Sequence, residues 1–489
     1  MLFVFVLDVQ AQKENNVWVG GTKSAIDFNS GAAVPFLRDS TLTVNRSNAS
    51  ICDKDGNLLF YTNGYRVYNK NYQLMQNGNG LEIGDYEDWG YGYNSLPDGI
   101  VIVPMPGDTN RYYIFHGDVN YVTFGPSPFV DVLLPTRIFC SVVDMSLAGG
   151  LGGIVSGQKN VVLFSDTLTS CGIKAVKHGN GRDYWLLMHE LESNRYYRFL
   201  IDPYGIHGPY EQNIGPELNG YNALGFSTLH FNEETTTAAQ LVTEATSIVL
   251  YDFDRCTGEF FNQRQFQVSD TLYYTLGAAF SPSGQYLYAT GNFHLLWQFD
   301  ATAFDVFASR KLVAQYNGLM NPFPTDFYQL RLAPDNKIYI HSYDFNFSLH
   351  VIHEPDSAGA ACDFEANGLT INPPGWSWRG FPNIVKYWLP AVSGCDTLTS
   401  TKPLSIPTFT FSVYPNPFAN EFQISATGVA SEVNLEVTNV MGQRVHQAVL
   451  HPVNNRVHAS VDLSASAAGV YVVRFAADGR QHQCKIVKQ

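Results

Sequence analysis

The segment Gly84-Asp-Tyr-Glu-Asp-Trp-Gly-Tyr-Gly-Tyr-Asn94 sets carboxylates beside aromatic rings. Tyr86, Trp89, Tyr91 and Tyr93 offer flat faces that stack on sugars, and Asp85, Glu87 and Asp88 can accept hydrogen bonds from hydroxyls. That is the chemistry of glycan or protein recognition; the competing reading is a long loop folded on its own aromatic side chains. A second candidate is Asp53-Lys-Asp55-Gly56-Asn57, which places oxygens on alternate residues around a glycine, as the opening of a calcium loop does. No bidentate Glu follows at the expected distance, so Asp53, Asp55 and Asn57 read first as a β-turn and only second as a metal site. Histidines scattered from His116 to His353 are compatible with a catalytic cluster, although strand histidines are more often structural. GxSxG, HExxH, P-loop and dinucleotide-binding fingerprints are absent, so no catalytic residue and no cofactor is assigned.

The elements that carry these residues repeat. Ser281-Pro-Ser-Gly284 leads into the alternating Gln-Tyr-Leu-Tyr-Ala-Thr290, and Leu295-Leu-Trp-Gln-Phe-Asp300 follows as a second strand. The same unit recurs at Ala333-Pro-Asp-Asn336, at Asp53-Lys-Asp-Gly56 and at Asn180-Gly-Arg-Asp183, with weaker copies near Asn110 and Leu241. A period of about 50 residues, with several short strands in each, is the signature of propeller blades. Six units read this way, and the chain ends complete a seventh. Asn16-Val-Trp-Val19 and Ala25-Ile-Asp-Phe28 lack a preceding strand, which Phe381-Pro-Asn-Ile-Val385 is expected to supply, closing the ring without an open sheet edge.

Composition points the same way. Charged residues are only 15% and aromatic residues 14% of the chain, with 41 Gly and 24 Pro, which suits short strands and many tight turns. The formal net charge is −14; from Ser405 onward six Lys/Arg face five Asp/Glu, so residues 1–404 carry −15. Such a surface disfavours nucleic acid and anionic lipid as partners. The seven cysteines have no metal-ligand spacing; one or two disulfides are plausible in an oxidising compartment, with Cys362 and Cys395 as candidates. Met1-Leu-Phe-Val-Phe-Val-Leu7 followed by Val9-Gln10-Ala11 reads as the remnant of a signal peptide, and no later stretch is apolar enough to cross a bilayer as a helix.

After a Ser/Thr/Pro-rich stretch, short runs that alternate at period two imply a small antiparallel Ig-like sandwich. Val413-Tyr-Pro415-Asn416-Pro417-Phe418, Asn439-Val-Met-Gly442-Gln-Arg444, Ala468-Gly469-Val470-Tyr471-Val472 and Lys485-Ile-Val-Lys488 occur there in order. This tail closely resembles the C-terminal sorting domain of the Bacteroidetes type IX secretion system. The resemblance implies a sorting signal carried by Pro415, Asn416, Pro417, Gly442, Gly469, Tyr471, Lys485 and Lys488, and partners in the outer-membrane translocon and its sortase. Trp18-Val-Gly-Gly, Gly56-Asn-Leu-Leu-Phe-Tyr61, Gly181-Arg-Asp-Tyr-Trp185, Leu250-Tyr-Asp-Phe-Asp-Arg-Cys256-Thr-Gly258 and Gly380-Phe-Pro-Asn383 resemble propeller domains of large Bacteroidetes surface proteins.

The expected organisation is therefore all-β: a signal remnant at 1–12, a β-propeller at 13–391 with seven blades, a linker at 392–408 and the sorting domain at 409–489. The expected protein is exported to the outer cell surface or the medium, where it binds a polysaccharide or a surface protein as an adhesion or scaffold module. The alternative is a hydrolase or lyase acting on extracellular polymers at the propeller channel. No fold grants either role by itself.

Overall fold

The computed structural model describes residues 13–489 apart from 22, 39–41, 45, 83, 85–95, 125–129, 170–171, 219–227, 243–245, 269–274, 345, 372–379, 396–409, 428, 430–431, 453–455 and 478–479. The expected signal remnant and the aromatic loop with Tyr86, Trp89, Tyr91 and Tyr93 lie outside the described residues. The chain divides into two compact units, one of residues 1–155 and 162–403, the other of 156–161 and 404–489.

The first unit is a β-propeller, and its repeat is the turn that the sequence advertises. At Asn180 the side-chain Oδ1 accepts the N–H of Arg182 and of Asp183, and at Asn232 it accepts those of Thr236 and Thr237. Asp53 Oδ1 does the same for Asp55 and Asn57, and Ser281 Oγ for Tyr286. Each side chain replaces a backbone partner and reverses the chain into the next strand. Gly56 shows why one such position tolerates only glycine: its φ is +89°, and a Cβ there would meet the Asn29 side chain.

Successive strands then pair antiparallel as simple meanders. Residues 174–218, 229–267, 275–315 and 330–370 each form a four-stranded sheet in chain order. Residues 49–79 and 100–165 form two more, joined by the single parallel pair Gly153↔Gln76, and 17–37 form a three-stranded sheet. The hairpin of Asn120–Phe124 and Val130–Leu134 is an insertion. Counting the joined pair as two, seven sheets follow one another among the described residues. Burial falls along each sheet. Lys174–Lys177 is buried throughout, whereas the rim strand Glu259–Gln267 exposes alternate residues. First strands therefore line the centre and last strands the rim.

Neighbouring sheets pack face to face. Trp185, Leu200, Tyr251 and Phe260 share one core, Leu250, Phe280 and Phe299 the next, and Tyr288, Ile338 and Ile352 a third. Trp18, Ile26 and Phe28 of the first sheet pack on Tyr339 and Val351 of the last, which closes the ring. The closing device differs from the expected one. Residues 381–385 form no strand, and the first sheet keeps three strands. Pro382 has no N–H to donate, and the N–H of Asn383 goes to Asn48 O at 2.9 Å. Closure comes from side-chain packing, with Phe381 inserted against Trp18 at 5.5 Å.

In the second unit, Thr410–Tyr414, Glu421–Thr427 and Arg456–Asp462 form one antiparallel sheet. Val433–Asn439, Arg444–Leu450, Gly469–Ala477 and Arg480–Lys488 form another. Phe422, Ile424 and Val461 of the first sheet share a core with Leu435, Val473, Phe475 and Ile486 of the second. The period-two alternation of these strands puts one apolar set inside and a polar set outside.

Candidate functional site

The centre of the propeller is occupied by its own chain. Asn383 Nδ2 donates to Ile100 O at 3.0 Å and Ile173 O at 2.8 Å, carbonyls of two different sheets. Its Oδ1 accepts Lys174 Nζ at 3.1 Å. Tyr387 Oη donates to Ile102 O at 2.9 Å, and Asn48 Nδ2 to Gly380 O at 3.2 Å. Residues 380–390 thus run through the channel as a strap. Beside the strap, Asp98 holds Lys174 Nζ at 2.6 Å and Arg331 Nη2 at 2.9 Å, with side-chain exposures of 3%, 7% and 13%. Burial alone would raise the Asp98 carboxyl, but the Lys174 ammonium and the Arg331 guanidinium hold it well below the usual carboxylate range. Burial pushes the His230 imidazole down, so it stays neutral next to this cluster. A cavity of about 70 Å³ remains between these groups, Ile384 and Lys386.

The strap leaves the channel through an anchorage built from three sequence motifs that lie far apart. Arg255 donates to Lys177 O at 3.2 Å and to Pro390 O at 3.0 Å. Trp185 Nε1 donates to Arg255 O at 3.0 Å, and the ring lies so close to Gly258 that a Cβ there would collide with it. Val392 N–H reaches Gly179 O at 2.6 Å, and Cys395 forms a disulfide with Cys256. Of the two candidate cysteines only Cys395 is crosslinked: Cys362 is a buried free thiol in the 3-10 turn Gly359–Cys362 that precedes the last strand of the last sheet. Residues 392–395, read as the start of a linker, belong to this anchorage. The crosslink closes a loop of 139 residues, and its removal is expected to cost about 2–5 kcal/mol. The melting temperature of Cys256→Ser/Cys395→Ser should fall well below that of the oxidised protein, with faster amide exchange at 380–390. Equal melting and exchange would contradict a strap held from its far end.

The channel opens at one face into a pocket of about 380 Å³, lined among others by Lys13, Asn15, Asn29, Asn336, Lys386 and Trp388. Lys386 is ion-paired with Glu233, while Trp388 is 41% exposed. The other sequence candidates do not converge here. Asp53 is consumed within its turn, where both carboxylate oxygens also accept Asn57 Nδ2 and Asp55 contributes only its N–H, so this trio is a turn. The histidines are dispersed: His341 sits on Ser342 O and Gln329, His189 on Glu190 O, and His353 on Lys337 and Glu365. Among the described residues no group of three or more His, Cys, Asp or Glu could hold a metal ion. Sequence reasoning missed Asp98, Lys174 and Arg331. The available signal was a charge inside each of two short apolar runs, Ile173-Lys-Ala-Val176 and Leu330-Arg-Leu332.

In the second unit the motif residues of the tail act on one another. Asn416 Nδ2 donates to Lys485 O at 3.0 Å, and Asn416 Oδ1 accepts the N–H of Val487 at 2.9 Å. Phe418 pairs its backbone with Val487 and Gln489. Pro415 and Pro417, both exposed, flank this clamp. Tyr471 Oη donates to Ala467 O at 2.6 Å, and Gly442 closes a turn capped by Asn439. Lys488 is buried and donates to the carbonyls of Leu463, Ser464 and Ser466 at 2.8, 3.1 and 2.6 Å. Residues 412–489 match the family model described as the secretion system C-terminal sorting domain. The chain ends in a type IX sorting domain.

The sorting domain marks the chain for export to the cell surface or extracellular space. Its two motif lysines have different duties. Lys485 is exposed, whereas Lys488 ties the last strand to the turn at 463–466. No curated protein matches the chain. Solved structures similar to it include a protein from Lactobacillus plantarum, at 12% identity over 74% of this chain and 98% of that one, with a TM-score of 0.40. The Myceliophteria thermophila Cps50 (Swd1) β-propeller domain is similar at 11% identity over 68% and 91%, with a TM-score of 0.38. Kluyveromyces lactis Hsv2 is similar at 9% identity over 69% and 90%, also with a TM-score of 0.38.

Proposed function

We propose that the chain is a seven-bladed surface-displayed or secreted propeller that binds an extracellular ligand without converting it. The observation that carries this reading is the strap. A propeller enzyme gathers its acids and bases around a reachable channel, and here residues 380–390 fill that channel. The charges beside the strap are paired with one another, and Asn383 engages two sheet carbonyls, so none of these groups is left to a substrate. What remains accessible is the mouth pocket and the rim. The aromatic loop with Tyr86, Trp89, Tyr91 and Tyr93 is proposed as a second contact on the same grounds as in the sequence: rings beside carboxylates.

The test is an array of extracellular polysaccharides probed with the oxidised full chain, with parallel assays for newly released reducing ends and unsaturated products. Capture without product supports a binding protein. Product that accumulates in proportion to the protein would replace this reading with the hydrolase or lyase alternative.

A further inference from the structure

We infer that the pocket at the channel mouth is a saccharide-binding site with a preference for an acidic sugar. The inference rests on the binding role just proposed and specifies its ligand class. Its first support is the placement of Trp388. Trp18 and Trp185 are 1% and 0% exposed, whereas Trp388 shows 41%. It does so from a pinned backbone: Tyr387 and Leu389 on either side are 6% and 4% exposed, and Tyr387 is tethered to Ile102 O. The backbone at Trp388 is therefore fixed, and the indole lines the mouth. A rigid exposed ring at a pocket suits a ligand with one apolar face, such as a pyranose.

The polar groups divide into a frame and a reading set. Asn16 donates to Asn29 Oδ1, and Asn29 donates to Gly56 O, so this pair holds the wall. Asn15 uses its amide N–H on Val385 O, and its Oδ1 accepts no hydrogen bond among the described residues. Asn336, at φ 61° on the turn after Ala333, makes no side-chain hydrogen bond among the described residues. One amide oxygen and one complete amide are thus presented to hydroxyl groups. A volume of about 380 Å³ lies in the range of roughly 300–1,000 Å³ that small-molecule sites occupy.

Charge chooses among sugars. Lys386 is neutralised by Glu233, and Lys13 has no ion pair among the described residues. One uncompensated ammonium in a pocket of the large domain, where residues 1–404 carry −15, singles out one negative charge on the ligand. A hexuronate supplies a single carboxylate on a stackable ring; a nucleotide brings more negative charge than one lysine balances.

The test uses the oxidised full chain titrated calorimetrically with trigalacturonate and trimannuronate, and with the neutral galactotriose and mannotriose. At least one acidic probe is expected to bind tenfold or more tighter than its neutral counterpart. Trp388→Ala should weaken every bound probe at least tenfold, and Lys13→Gln should abolish the acidic preference while leaving neutral affinity unchanged. Both variants should melt as the wild type does. A wild type that binds none of the probes overturns the inference, and so does a Trp388→Ala variant that binds them as before. An acidic preference that survives Lys13→Gln overturns the charge assignment. Capture on the polysaccharide array that Trp388→Ala leaves intact removes this site while the binding role stands; product release on that array removes the role itself.

Discussion

Asp98→Ala is expected to destabilise the propeller by about 3–5 kcal/mol, the usual penalty when one partner of a buried ionic group is removed. Asp98 answers two cations at once, Lys174 at 2.6 Å and Arg331 at 2.9 Å, on two different sheets. Without the carboxylate both cations stay inside the ring, and Lys174 loses its charged partner while it keeps the Asn383 amide oxygen. Repulsion between them falls on the strap, because Asn383 belongs to it. Denaturant unfolding should therefore show a lower midpoint, and proteolysis should cut sooner near 380–390. Asp98→Ala/Lys174→Met/Arg331→Leu should recover much of the loss, since apolar residues of similar volume carry no desolvation cost. A single Asp98→Ala variant as stable as the wild type would mean that the cluster does not hold the ring.

The same cluster sets a pH dependence. The Asp98 carboxyl is held below its unfolded value, so its stabilisation is complete above about pH 4 and is lost as the pH falls further. The wild type should lose stability as the pH falls from about 4 toward about 2, and Asp98→Ala should lose less over that interval.

Much of this architecture was legible in the chain because it is local. The turns at Asp53, Asn180 and Ser281 are set by side chains that bond their own backbone within five residues, and the turn at Ala333 is closed by the N–H of Asn336 on Ala333 O; all four appear where their residues predict. Two of the sorting motifs were legible for a similar reason, since Gly442 and Tyr471 each satisfy a local geometry, whereas Asn416 bonds partners 69 and 71 residues away and was legible only through the resemblance. The central cluster was not legible. Asp98 sits in a Pro-Asp-Gly sequence that reads as an ordinary turn, and its partners lie 76 and 233 residues away. The strap was visible as a motif, Gly380-Phe-Pro-Asn383, but an apolar run of that length reads equally well as a strand. Only the bonds of Asn383 to Ile100 O and Ile173 O, of Tyr387 to Ile102 O and of Asn48 to Gly380 O decide between the two. Cys256 and Cys395 paired for a reason no spacing encodes: the strap brings residue 395 back to the turn before Gly258.

The largest effect of all is expected from the tail. Ending the chain at Pro403 removes the sorting domain whole, whereas cutting only the last five residues would also strip Lys488 from its three carbonyls and Val487 from Asn416. The shorter cut would confuse an unfolded signal with an absent one. The decisive measurement is surface exposure in a bacterium with a working type IX translocon, read by antibody labelling and external protease on intact cells. The full chain should be labelled at the surface or found in the medium. The chain ending at Pro403 should be folded, as judged by its melting, yet protected inside the outer membrane. Surface display of the truncated chain at the full-length level would contradict export by the sorting domain.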